Sequence, residues 1–134
     1  MIVIEDFNHW AQYADNMGRV ADRAVKTTIK RIEARAKASL GGPRSGREYR
    51  RGKGGTIIHK ASAPGEAPAT DTGNLANSIG SRMTGRAVGE VTVNAEYAAA
   101  LELGSAHIAP RPFFAPAVKA EWPNFVAALR EVAE

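Results

Sequence analysis

From Ile4 to Leu40 the apolar residues recur at gaps of three and four: Phe7, Trp10, Ala14, Met17, Ala21, Val25, Thr28/Ile29, Ile32 and Ala36. That spacing is the period of an α-helix with one buried stripe, and it excludes a strand, whose sides alternate every two residues. Arg19, Asp22, Arg23, Lys26, Lys30, Glu33 and Lys37 fill the opposite face. Gly41-Gly42-Pro43 ends the pattern, since glycine caps a helix and proline cannot continue it. Gly18 is a weak point, about 1 kcal/mol worse than alanine, where a bend or a fresh start is expected. At ~1.5 Å per residue the helix, placed in residues 1–40, reaches roughly 50 Å. A single small domain is narrower than that, so part of the stripe is expected to protrude or to rest on a neighbouring subunit.

The chain is 134 residues long, the size of one domain. Cysteine is absent, which excludes disulfides, thiolate chemistry and Cys-ligated metals. Glu5, Asp6 and Asn8 interrupt the N-terminal apolar residues, so neither a signal peptide nor a membrane span is expected. Charge is unevenly distributed. Residues 41–60 hold Arg44, Arg47, Arg50, Arg51, Lys53 and Lys60 against Glu48 alone, a net +5, whereas residues 61–134 sum to −3 and the whole chain to +4. A basic segment beside an acidic remainder points to an anionic partner or to contact between unlike ends of two copies.

Residues 41–70 read as a long excursion rich in glycine and proline. Glu48-Tyr49-Arg50-Arg51 and Thr56-Ile57-Ile58-His59-Lys60 flank Gly52-Lys53-Gly54-Gly55, a β-hairpin pattern expected to be mobile in the free protein. Beyond it, residues 71–134 form the expected core. Asp71 or Thr72 is a suitable helix N-cap, with Leu75 and Ile79 on the buried side of a short helix. Gly80 to Asn94 alternates around Thr84-Gly85-Arg86 as strand–turn–strand, with Val88, Val91 and Val93 apolar. Tyr97 to Leu103 forms a second short helix with Tyr97 and Leu101 on one face, stopped by Gly104. A last helix begins near Phe113 or Phe114, and Pro123 is expected to kink or break it. The fold class is therefore α+β: a long N-terminal helix, a small largely antiparallel sheet, short helices, and a C-terminal helix packed on the sheet.

No catalytic constellation emerges. Gly46 to Gly54 falls short of a phosphate loop, because its spacing is one residue too long and Gly54 stands where Ser or Thr would hold magnesium. His9, His59 and His107 fall in separate elements, so no metal or other cofactor is expected. Three readings of the basic segment stand side by side. It is a solvated loop, a phosphate-neutralising DNA contact with Tyr49 available to stack, or a contact to an acidic protein surface. Sequence-specific recognition is not expected, since no helix-turn-helix or zinc finger is present. Glu102 lies in the last turn of its helix, where the macrodipole disfavours a carboxylate. Either it is exposed and tolerates this, or it pairs with Arg111 of the same or an adjacent chain. Pro110 and Pro112 restrict that arginine to extended backbone. Of Phe113 and Phe114, one is expected in the core and the other at an interface.

Three blocks carry a further reading: Asp71-Thr72-Gly73-Asn74-Leu75-Ala76-Asn77-Ser78-Ile79, then Tyr97-Ala98-Ala99-Ala100-Leu101-Glu102-Leu103-Gly104-Ser105, then Arg111-Pro112-Phe113-Phe114-Ala115-Pro116-Ala117. In this order and spacing they resemble the head–tail joining (neck or tail-completion) proteins of long-tailed bacteriophages and prophages. Ser105 replaces the usual threonine, and Leu103 stands where an aromatic is common. The resemblance implies a non-enzymatic virion protein, made in the host cytoplasm, that assembles as a ring at the head–tail junction. Its partners would be copies of itself, head-connector and tail-tube proteins, and packaged DNA touched non-specifically. The implied interface residues are Asp71, Thr72, Gly73, Leu75, Tyr97, Glu102, Gly104, Arg111, Phe113 and Phe114. The alternative is a small basic protein binding DNA without sequence preference.

Overall fold

The computed structural model describes residues 7–41, 48–51, 54, 57–60, 68 and 74–133. Helix α1 spans Phe7–Ser39, followed by strands β1 (Glu48–Arg51) and β2 (Ile57–Lys60), a single helical turn α2 (Asn74–Asn77), strands β3 (Ile79–Gly85) and β4 (Val88–Val93), and helices α3 (Ala98–Leu103) and α4 (Ala115–Ala133). The fold is α+β, with α1 as its spine. Strands β3 and β4 pack on one side of α1 and α4 lies along it on another.

Two antiparallel hairpins make up the sheet structure. In the first, Glu48 faces Lys60 and Arg51 faces Ile57, which is the pairing expected across the glycine-rich turn. In the second, Ile79 faces Val93 and Ser81 faces Val91, with an irregularity between Met83 and Gly85 that offsets the last pair. Arg86 and Ala87 form its turn. Ala87 takes the left-handed conformation (φ 56°), and its N–H donates to Asp22 Oδ1 of α1 at 3.0 Å. Arg86 donates to the Asp15 carbonyl and carboxylate at 3.0 and 2.9 Å. The hairpin end is thus fixed to α1 at two points, Asp15 and Asp22, about two turns apart.

The core gathers Ile32, Ala36, Leu40, Ile79, Ala98, Phe113 and Ala117, with Leu75, Val91, Val93, Leu101 and Phe114 packed around it. Phe113 and Leu40 are fully buried, each contributing about 1.5–3 kcal/mol by leaving water. The sheet and α4 meet through this shared cluster, while the main partner of α4 is α1.

Several local expectations need correction. Helix α1 runs through Gly18 without interruption. The missing side chain leaves room for the Arg86 guanidinium, whose Cζ would lie 2.7 Å from a Cβ built there. Helix α4, which starts at Ala115 beside Phe114 as expected, likewise continues through Pro123 without a break. One lost N–H near the helix middle is offset there by packing along α1 and by the Arg35–Glu121 ion pair next to it. Ile79 does not sit on a helix with Leu75 but opens β3, where it is buried. Tyr97 is the exposed N-cap of α3, and the buried face of that helix carries Ala98 instead.

Candidate assembly surface

The segment from α3 to α4 is built around the Glu102 carboxylate. Its Oε2 accepts the N–H groups of Phe113 and Phe114 at 2.8 and 3.0 Å, and its Oε1 accepts that of Ala115 at 2.7 Å. These donors belong to the start of α4, where the first N–H groups have no partner within the helix. A carboxylate disfavoured at the end of α3 therefore sits on the positive end of the next helix, where the macrodipole favours it. Within the chain Glu102 makes no ion pair with Arg111; its carboxylate is held instead by these three backbone donors.

The intervening loop is closed tightly. Gly104 adopts φ 79° and donates to the Ala100 carbonyl at 2.8 Å, and a Cβ there would lie 2.9 Å from the Pro110 ring. Both the positive φ and the close approach require glycine. Ser105 N–H donates to the Ile108 carbonyl at 2.9 Å, and Arg111 N–H returns to the Leu101 carbonyl at 2.6 Å. Arg111 is half-buried, and its Nε is buried without a hydrogen-bond partner. Phe113 enters the core while Phe114 is only partly covered, which is the division expected for adjacent residues.

On the outer side of this clamp Tyr97 is 49% and Leu103 77% exposed, with Ser105, Ala106 and His107 beside them in sequence and also exposed. Leu75, Leu101, Phe113 and Phe114 converge on the one core cluster, so parts of all three sequence blocks meet there. Asp71, Thr72 and Gly73 lie outside the described residues, as do Arg44, Arg47 and Lys53. Tyr49, Arg50 and Arg51 fall in β1 and Lys60 in β2.

A second carboxylate escaped the sequence reading. Glu121 is only 3% exposed, yet it accepts from Arg35 Nε and from Asn124 Nδ2 at 3.1 Å, with Arg31 at 3.9 Å. The Arg35 hydrogen bond, followed by that of Asn124, holds its pKa below the usual carboxylate value despite burial. The available signal was its place four residues after Ala117 and four before Phe125, an acid on an apolar stripe. Two further carboxylates on α1 are also held low, Glu33 chiefly by Lys37 and Ser81, and Asp15 chiefly by Arg86. Each belongs to a structural ion pair. Among the described residues no group of His, Asp or Glu is placed to hold a metal ion, and no helix is long and apolar enough to cross a membrane.

The HK97-gp10-like family, described as "Bacteriophage HK97-gp10, putative tail-component", matches residues 10–104. The chain belongs to that family, which makes it a phage tail-component protein of the virion. The match takes in the first sequence block and the second as far as Gly104, and stops before Arg111-Pro112-Phe113-Phe114 and α4. No curated protein and no solved structure matches the chain.

Proposed function

We propose that this chain is a structural component of the head–tail junction, of the neck or tail-completion kind, assembling as a ring that joins the DNA-filled head to the tail. The observation that carries this reading is the exposed pair Tyr97 and Leu103 at the two ends of α3, the helix whose Glu102 is bonded to the start of α4. Exposed apolar side chains on a preorganised backbone suit binding to another protein, since little entropy is lost on docking. The chemistry is association without turnover. Copies of the chain, together with neighbouring connector and tail-tube proteins, are the partners.

The basic segment supports a second contact. Its six Lys/Arg against one Glu, partly carried on the β1–β2 hairpin, suit loose neutralisation of packaged DNA. Binding of this sort is weak, indifferent to sequence and lost steeply with salt.

Deleting the gene from its phage or prophage and imaging the particles tests the main reading. Separated heads and tails, or tails with an abnormal upper end, are expected. Normal joined particles would refute it.

A further inference from the structure

The solvent-facing side of α1 carries charge of one sign. From residue 19 to residue 38 its exposed side chains are six Lys/Arg, Thr27, Ala34 and Ala38, with no acid among them. Arg19, Arg23, Lys26 and Lys30 follow one another at gaps of four, three and four, which places them in one row along the helix. The acids of Phe7–Ser39 are engaged elsewhere. Asp15 pairs with Arg19 and Arg86, Asp22 accepts the Ala87 N–H, and Glu33 holds Lys37 and Ser81. Glu121 and Glu131 of α4 share a groove with Arg23 and Arg31, but Lys26 and Lys30 lie outside it. Arg23, Lys26 and Lys30 make no hydrogen bond or ion pair among the described residues, and Lys30 only adds to the field that keeps Glu33 ionised.

The make-up of this face selects its partner. The centre of a protein–protein interface is apolar or aromatic and poor in lysine. On α1 between residues 19 and 38 nothing apolar larger than alanine is exposed, while large exposed apolar groups lie elsewhere, at Tyr97, Leu103 and Trp122. A phosphate backbone needs only cations that can replace its condensed counterions. From Arg23 to Lys30 the row covers about 10 Å of helix axis, a length over which duplex DNA carries about six charges. All three cations can therefore meet phosphates at once.

We propose that the outer face of α1 contacts duplex DNA through its phosphates, with Arg23, Lys26 and Lys30 as the principal contacts. The choice of DNA rests on the head–tail reading, in which this chain joins a DNA-filled head to the tail. It extends the DNA contact from the β1–β2 hairpin to the spine of the fold. Phosphate contacts position a duplex without reading its bases, so no sequence is preferred.

The full chain is titrated into a short labelled duplex of random sequence at a series of salt concentrations, with binding read by fluorescence anisotropy. The triple variant Arg23→Gln, Lys26→Gln, Lys30→Gln should reduce the slope of log affinity against log salt by about three, and should weaken duplexes of unrelated sequence alike. The substituted side chains are exposed and unbonded, so the triple variant should keep the wild-type unfolding midpoint. If it does not, the three single substitutions take its place, each lowering the slope by about one. Arg50→Gln with Arg51→Gln on β1 measures the hairpin contact separately. A slope unchanged by the α1 variants, or no duplex binding by the wild type, would overturn the proposal. So would unchanged duplex binding together with loss of particle assembly, which would make the row a contact to an acidic protein surface. Joined particles after gene deletion would refute the head–tail role, a result read independently of the titration.

Discussion

The two halves of α1 share one sequence period and have opposite fates. From Ala24 to Leu40 the stripe is buried against the β3–β4 hairpin, α3 and α4, while from residue 11 to residue 17 the same helix is exposed. Periodicity fixes which face of a helix is apolar, but it does not say which molecule covers that face. Coverage depends on how far the remaining elements reach. Here the hairpin ends at Arg86, which contacts Asp15 and lies over Gly18, and among the described residues nothing in the buried core lies further along α1.

The largest expected effect breaks the comparison by exchanging its two sides. Ile32→Ala should cost about 2–5 kcal/mol in the isolated chain, because it opens a cavity in the shared core. Chemical denaturation measures this. Met17→Ala should cost less than about 0.5 kcal/mol in the same experiment, since little is buried there to lose. Equal losses would mean that the two halves are packed alike.

Next in size comes the clamp. Glu102→Ala should cost about 2 kcal/mol, in the range of a lost helix cap with charged hydrogen bonds. Combining Glu102→Arg with Arg111→Glu should not restore stability, because backbone N–H groups rather than Arg111 hold the carboxylate. Full recovery in a double-mutant cycle would contradict that geometry.

Glu121→Gln should cost about 1–3 kcal/mol, the value of hydrogen bonds to a charged group. The half-exposed arginine partners favour the lower part of that range. Its folded pKa lies below the ordinary value of 4.5, so its contribution is fully present above about pH 4.5 and is lost as pH falls through the depressed value. The wild type should therefore lose more stability than Glu121→Gln between pH 5 and pH 3. Parallel pH profiles would rule this out.

The smallest effects separate two glycines along α1. Gly89→Ala should destabilise by about 1–3 kcal/mol, because a Cβ would lie 2.9 Å from Ile29 Cδ1 and 3.1 Å from Val25 Cγ1. Gly18→Ala meets only the movable end of the exposed Arg86 side chain. Helix propensity gains about 1 kcal/mol there, against a surface ion pair worth about 0–1. The change should be neutral or slightly stabilising. A loss at Gly18 as large as that at Gly89 would show that the hairpin end is held more rigidly than its exposure indicates.

Much of this architecture is legible in the sequence where a local rule acts alone. Helical spacing located α1, Gly41 its end, the alternation around Arg86 the β3–β4 hairpin, and Gly104 the stop of α3. Misreadings arose where a tertiary contact competes with a local preference. Pro123 does not break α4 because packing on α1 holds the helix, and Gly18 accommodates a distant arginine. Glu102 was marked by its conflict with the dipole of its own helix. Its partner could not be read, because the donors are backbone groups of a helix that begins 13 residues later. Glu121 was missed because its arginine partners lie 86 and 90 residues earlier, beyond any sequence window.

Amide hydrogen exchange across α1 tests the central contrast most directly, measured first in the free chain and again in assembled particles. In the free chain, residues 24–40 should exchange only through near-global unfolding, while residues 11–17 should exchange through local fraying. On assembly, protection of residues 11–17 should rise at least about a hundredfold and that of residues 24–40 should change little. Equal protection of the two halves in the free chain, or no gain at residues 11–17 in particles, would contradict the account.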